Sequence, residues 1–197
     1  MQNFSHRDYF RRFRLNVEQY GEILAAHAFL GKKMGDEQVG YDILTTRTAT
    51  RELLHKHGIP TDSLFFGEDS DEVRIEVKSK LSSTVSGTAE VVHCTNAKVR
   101  RTIRGKRQHL AMTHLLVVLI SPGSRANREA GEEGRVSEAW LLTLDQVVQF
   151  RDATTRESKC LSVREIRKMA ATGSIISVQT LLNSIVDTPL KSWLEPS

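Results

Sequence analysis

A chain of 197 residues, 39% of them hydrophobic and 26% charged, suits one well-packed domain and excludes both two ordinary domains with a linker and wholesale disorder. No apolar run approaches the length of a membrane span, and the charged opening MQNFSHRDYFRRFR carries no signal-peptide segment, so the expected location is the cytoplasm. The net charge of +4 and a pI of about 9.2 favour a polyanionic partner only mildly.

In chain order, Ser5 and Asp8 have the spacing of a helix cap, and Phe10, Phe13, Val17, Tyr20, Leu24 and Ala28 recur at spacings of three and four. That pattern predicts one long amphipathic helix ending near Gly31 to Gly35, where glycines bracket two lysines. Gln38 to Leu44 reads as a strand, Thr50 to His57 as a short helix closed by Gly58-Ile59-Pro60. Val73, Ile75 and Val77 alternate with Arg74, Glu76 and Lys78, the period of a strand with one apolar and one polar face. Ala89 to Cys94 is a further strand candidate, and Lys98 to Met112 has helical character through Val99, Ile103 and Leu110. His114 to Ile120 predicts a buried strand closed by Ser121-Pro122-Gly123, and Ser124 to Gly134 a loop. Glu138 to Leu144 reads as a strand, followed by helices over Leu144 to Phe150, Ser162 to Ala171 and Ser177 to Ile185. This order predicts a mixed α/β plan with one central sheet.

Cys94 and Cys160 make no disulfide framework, which predicts two free thiols. His55/His57 and His93/Cys94 lack the paired spacing of a structural zinc site, so no zinc is expected. Tyr41, Trp140 and Trp193 are expected in packing rather than base stacking, given 6% aromatic residues.

Phosphodiester hydrolysis requires an activated water and positive charge around a developing phosphorane. Glu76 and Lys78, two apart on one predicted strand, point to the same face, and Asp42 on the preceding strand sits beside them if the two strands pair. GYDIL at 40 to 44 followed by RIEVKSK at 74 to 80 resembles the D…(D/E)xK signature of the PD-(D/E)XK (restriction-endonuclease-like) nuclease superfamily. It is most similar to the branch in which a glutamate-bearing first helix precedes G-x-D-I, as in restriction-type and NO VEIN-type domains. The resemblance covers roughly residues 15 to 150.

It implies a restriction-endonuclease-like core of helix, three strands, helix and strand around a mixed sheet. Residues 1–150 would form that core, with an insertion at about 45–72, and residues 151–197 a C-terminal helical extension of the same domain. It further implies Mg²⁺, replaceable by Mn²⁺, held by Asp42, Glu76, the Val77 carbonyl and Glu22, with Lys78 as the catalytic lysine. The one-turn neighbours Glu18, Ala25 and Ala26 leave room for Glu22 to face the site, while its second reading is a surface glutamate in a helical charge pair. The thirty-three residues between Asp42 and Glu76 exceed the hairpin of many members, which makes Asp62 a rival for the aspartate role. Glu68, Asp69 and Asp71 read as solvated loop charges.

Lys98, Arg100, Arg101, Arg104, Lys106 and Arg107 fall in ten residues without an acid, and Arg100, Arg104 and Arg107 share one helical stripe. Beside the site that the resemblance implies, this segment and Gln108 would meet DNA phosphates. The function so implied is a Mg-dependent DNA endonuclease acting in restriction, phage defence or mobile-element biology. The alternative is a catalytically silent DNA-binding or assembly subunit. RNA substrates and exonucleolytic action stay open. Cutting both strands with so small a chain would require a homodimer or a larger complex.

Overall fold

The computed structural model describes residues 5–13, 16–34, 40–62, 64, 70–84, 91–93, 112–152 and 160–189. The expected long first helix is two, α1 (His6–Phe13) and α2 (Val17–Ala28). Asn16 is the cause: its side-chain oxygen accepts the Gln19 N–H at 2.7 Å and opens a new helix in mid-pattern. The Ser5–Asp8 cap is present on α1, with Ser5 Oγ 2.7 Å from Asp8 Oδ2. α2 ends before the glycines. Leu30 takes the left-handed conformation (φ 49°) and the Gly31 N–H reaches back to Ala26 O at 2.9 Å. Gly31 is needed one step later, because a Cβ there would stand 3.0 Å from the Leu44 carbonyl oxygen.

After the two-residue strand β1 (Lys32–Lys33) come β2 (Ile43–Thr46), α3 (Arg47–Lys56), β3 (Glu72–Leu81), a 3-10 turn at Ser82–Thr84 and β4 (Val91–His93). Then follow β5 (His114–Ile120), α4 (Arg125–Glu129), β6 (Val136–Thr143), α5 (Leu144–Asp152), β7 (Cys160–Ser162), α6 (Val163–Ala171), β8 (Ile176–Ser177) and α7 (Gln179–Val186). The class is α/β. Among the described residues six strands form a mixed sheet in the order β1-β2-β3-β5-β6-β8, in which only β3 and β5 run parallel.

Three features differ from expectation. β4 does not join the central sheet but pairs with β7 in a separate two-stranded sheet, because its partner comes from the C-terminal part of the chain. The Ser124 to Gly134 loop contains α4, capped by Ser124 on the Asn127 N–H. β1 and β8, each two residues long, are too short for any periodicity to register. The Lys98–Gln108 segment, Cys94, Trp193, Glu68, Asp69 and the first two residues of the expected first strand, Gln38 and Val39, lie outside the described residues.

The sheet divides two apolar layers. On one face, Ile43, Ile75, Val77, Leu116, Val118 and Leu141 pack against Tyr20, Ile23 and Leu24 of α2 and Leu181, Leu182 and Val186 of α7. On the other, Leu115, Val117, Leu119, Trp140 and Leu142 pack against Val147 of α5 and Val163 and Ile166 of α6. Covering on both sides explains why every residue of β5 is buried and its sequence lacks alternation. α1 is tied on by polar contacts: Arg7 to Asp187 at 2.7 Å, Arg11 to Glu133 at 2.7 Å, and His6 to His27 at 2.5 Å. Trp140 and Tyr41 are both buried in the second layer, as packing residues.

Candidate functional site

The alternation of β3 sets the site. Val73, Ile75, Val77 and Ser79 face α2, so Arg74, Glu76, Lys78 and Lys80 must face the opposite layer. β2 pairs antiparallel with β3 through Ile43↔Ile75. Asp42, expected within a strand, lies just before β2, where the chain still runs alongside Ile75, Glu76 and Val77 of β3.

Asp42 ends the pairing of β2 with β3 in a particular way. Its N–H donates to Ile75 O at 2.9 Å, and its Oδ2 accepts the Val77 N–H at 2.7 Å. A side-chain oxygen thus takes the place of the next main-chain rung, and holds the carboxylate against β3. The Val77 carbonyl leaves the strand on the same side as its N–H, and Lys78 Nζ lies 3.4 Å from that carbonyl oxygen. Lys78 also donates to Glu76 Oε1. Glu76 is 1% exposed, in register with Leu115, whereas the Lys78 side chain is 30% exposed and reaches outward.

Glu22 approaches from α2, where its Oε2 is 2.9 Å from Lys33 Nζ of β1. It is close enough for its charge to act on Asp42. Burial raises the Asp42 carboxyl from its usual range to about 6, the charge of Glu76 adds to this, and Glu22 adds less; the Val77 N–H and Lys78 pull the other way. Negative charge is therefore concentrated between the start of β2 and the middle of β3.

Asp42, Glu76, the Val77 carbonyl and Lys78 come together, with Glu22 at their margin. Asp62 lies exposed in the turn after α3, and it is the Asp42 carboxylate that is bonded to β3. Lys33 carries no signal in the sequence; it gains its place only because β1 adds to the edge of β2. The basic segment with Lys98, Arg100, Arg101, Arg104, Lys106, Arg107 and Gln108 is outside the described residues.

The donors at this end are all oxygen, which suits a hard divalent cation such as Mg²⁺. Burial and the neighbouring charges of Glu76 and Glu22 all favour the protonated form of Asp42, a cost that a cation bound there would offset. Among the described residues no three His, Cys, Asp or Glu side chains are gathered into a ready metal cluster. Lysines account for this in part: Lys33 holds Glu22 and Lys78 holds Glu76.

The chain matches no protein-family model, and no curated protein matches it at a significant level. No helix among the described residues is long and apolar enough to cross a membrane.

Proposed function

We propose that this protein is a divalent-metal-dependent nuclease that hydrolyses DNA internally, built on a PD-(D/E)XK-type core. The observation that carries the reading is the Asp42 carboxylate held against β3 by the Val77 N–H, next to Glu76, to which Lys78 donates from two residues along the same strand. A glutamate-bearing helix packed on a mixed central sheet is compatible with the setting that the GYDIL and IEVK resemblance implies.

In this reading Asp42 and Glu76 hold the metal, with the Val77 carbonyl as a third donor and Glu22 bound to it or to its waters. When bound, Mg²⁺ supplies Lewis-acid stabilisation and lowers the pKa of a water. The Val77 N–H keeps Asp42 oriented. The burial of Glu76 removes competing water, and Lys78, half in solvent, sits where it stabilises charge growing on the phosphate. Asp42 must be ionised to bind metal, so metal affinity falls as the pH drops through about 6.

Plasmid, linear duplex, single-stranded DNA and RNA incubated with Mg²⁺, Mn²⁺ or EDTA test the assignment. Metal-dependent nicking or linearisation of plasmid is the expected result. No cleavage of any substrate, together with retained DNA binding, replaces the enzyme with a binding or assembly subunit. A double-strand product from one small chain requires two sites, hence a homodimer or a larger complex, and sedimentation with DNA reads this out.

The basic stretch from Lys98 to Arg107 is the proposed phosphate contact. Neutralising Arg100, Arg104 and Arg107 together should weaken binding to every DNA sequence alike and flatten the slope of log K against log salt by about three. An unchanged slope leaves these arginines as an ordinary solvated face.

A further inference from the structure

α1 is joined to the rest of the protein largely by polar contacts. Among its described side chains only Phe10 packs against the apolar layer, stacked on Tyr20 with ring centroids 4.4 Å apart. Arg7 is bonded to Asp187, Arg11 to Glu133, and the His6 N–H to Thr188 O at 3.2 Å. His6, fully buried, meets His27 of α2 with Nε2 and Nδ1 2.5 Å apart, and its own Nδ1 has no hydrogen-bond partner among the described residues. That selects the tautomer. A proton on His6 Nδ1 would be a buried donor left unmade, which costs more than an unfilled lone pair, so the proton sits on Nε2 and donates to His27 Nδ1. The neutral pair then has no place for another proton: at His27 Nδ1 it removes the acceptor, and at His6 Nδ1 it buries a charge with nothing to receive it. The carboxylates on the surrounding elements are engaged elsewhere or exposed. On α1, Asp8 accepts from Ser5; on α2, Glu18 is exposed and Glu22 is held by Lys33; after α7, Asp187 lies between Arg7 and Arg135; before β6, Glu133 takes Arg11. The Tyr20 hydroxyl donates to Gly134 O.

We propose that the His6–His27 pair is a proton-sensitive latch: with both rings neutral it holds α1 on α2, and acidification releases α1 while the sheet and its two apolar layers stay folded. The proposal does not depend on the nuclease reading. A segment that contributes one described apolar side chain to the core is a unit that opens at less cost than the sheet does. Burial first, and the neighbouring His27 second, keep His6 neutral in the docked helix down to about pH 4, whereas a released, solvated histidine takes up its proton near 6.5. Protons therefore favour the released helix. Docking is at full strength above about pH 6.5, and each pH unit below that weakens it by up to about tenfold through His6 alone, until about pH 4.

Amide hydrogen exchange of the full-length chain, corrected for the intrinsic rate at each pH, tests the latch by comparing α1 with β5 between pH 7.5 and pH 5. The protection of α1 should fall about tenfold or more between pH 6.5 and pH 5, while β5 remains protected. The double variant His6→Gln with His27→Asn keeps an amide donor near the place of His6 Nε2 and an amide oxygen near that of His27 Nδ1, and neither side chain titrates. Its α1 should stay protected to within about threefold over the same range. An α1 that keeps its protection at pH 5 in the parent chain overturns the proposal. So does a double variant whose α1 opens with the parent's pH dependence, since the release then belongs to some other group, such as the carboxylates that hold Arg7 and Arg11. Should the double variant leave α1 open at every pH, the ring-nitrogen resonances of the parent chain decide. The His6 ring is expected to stay neutral for as long as α1 is protected, and a His6 that gains its proton near pH 6.5 on a protected α1 overturns the latch.

Discussion

Glu76→Gln and Asp42→Asn chains are expected to lose DNA cleavage, and Lys78→Ala to cut about 100-fold or more slowly than the parent, the usual order for removing an electrostatic stabiliser of a transition state. The three changes act differently. Asp42 is held against β3 next to Glu76, and in the proposed function taking away either charge would remove a metal donor while nearly preserving shape. Their DNA affinity should hold or rise, because an acidic cluster without its cation repels phosphate. Lys78→Ala leaves both carboxylates in place, so metal binding should persist while the chemical step suffers. Because Lys78 donates to Glu76, which is 1% exposed, its loss also leaves a buried acid without that lysine, and some stability goes with it. Thermal melts alongside single-turnover rates separate the two effects. If folded Lys78→Ala and Glu76→Gln chains cut as fast as the parent, the nuclease assignment is wrong.

The second large effect is on stability in mild acid. His114 is fully buried on β5, its Nε2 2.9 Å from Leu64 O and its Nδ1 2.8 Å from Thr113 Oγ1, and burial lowers its pKa to about 4. His6 is likewise lowered to about 4, by burial first and by His27 second. Unfolded histidines take up a proton near pH 6.5, while these two folded ones resist it until about pH 4. Their stabilising contribution is therefore complete above about pH 6.5 and is lost as the pH falls toward 4. The loss is roughly 3 kcal/mol for each histidine, since a tenfold difference in proton affinity between the folded and unfolded chain is worth about 1.4 kcal/mol. Asp42 works in the opposite direction. Raised to about 6, it takes up a proton on the folded chain before the unfolded one does, and so adds stability as the pH falls from 6 toward 4. In EDTA, urea midpoints should drop between pH 7 and pH 4.5, and drop further for Asp42→Asn, which lacks that offset. A midpoint independent of pH in both chains would show that neither histidine stays neutral in the fold.

Local patterning carried a good part of this fold. β5 begins and ends where its apolar run does, and β3 has the face alternation expected of Val73 to Lys78, extended to Leu81. Ser162 caps α6 with the reciprocal Glu165 contact, one residue inside the expected helix. These features depend on steric preferences and on periods of 2.0 and 3.6 residues, which a chain displays before it meets any partner. The break between α1 and α2 was locally encoded too, in Asn16, but the apolar spacing runs through it and masks it.

At the candidate site, sequence determined that Glu76 and Lys78 share a face, because two residues on one strand can do nothing else. Tertiary structure decided the rest. Asp42 rather than Asp62 is held against β3, by its bonds to Ile75 and Val77, because Ile43 pairs with Ile75, a register fixed by burying Ile43, Ile75 and Val77 against α2. Lys33 meets Glu22 because β1 adds to the edge of β2, and β4 joins β7 rather than the central sheet because its partner lies far along the chain. Each of these depends on which apolar faces are covered together, a property of the whole packed chain and not of any stretch of residues within it.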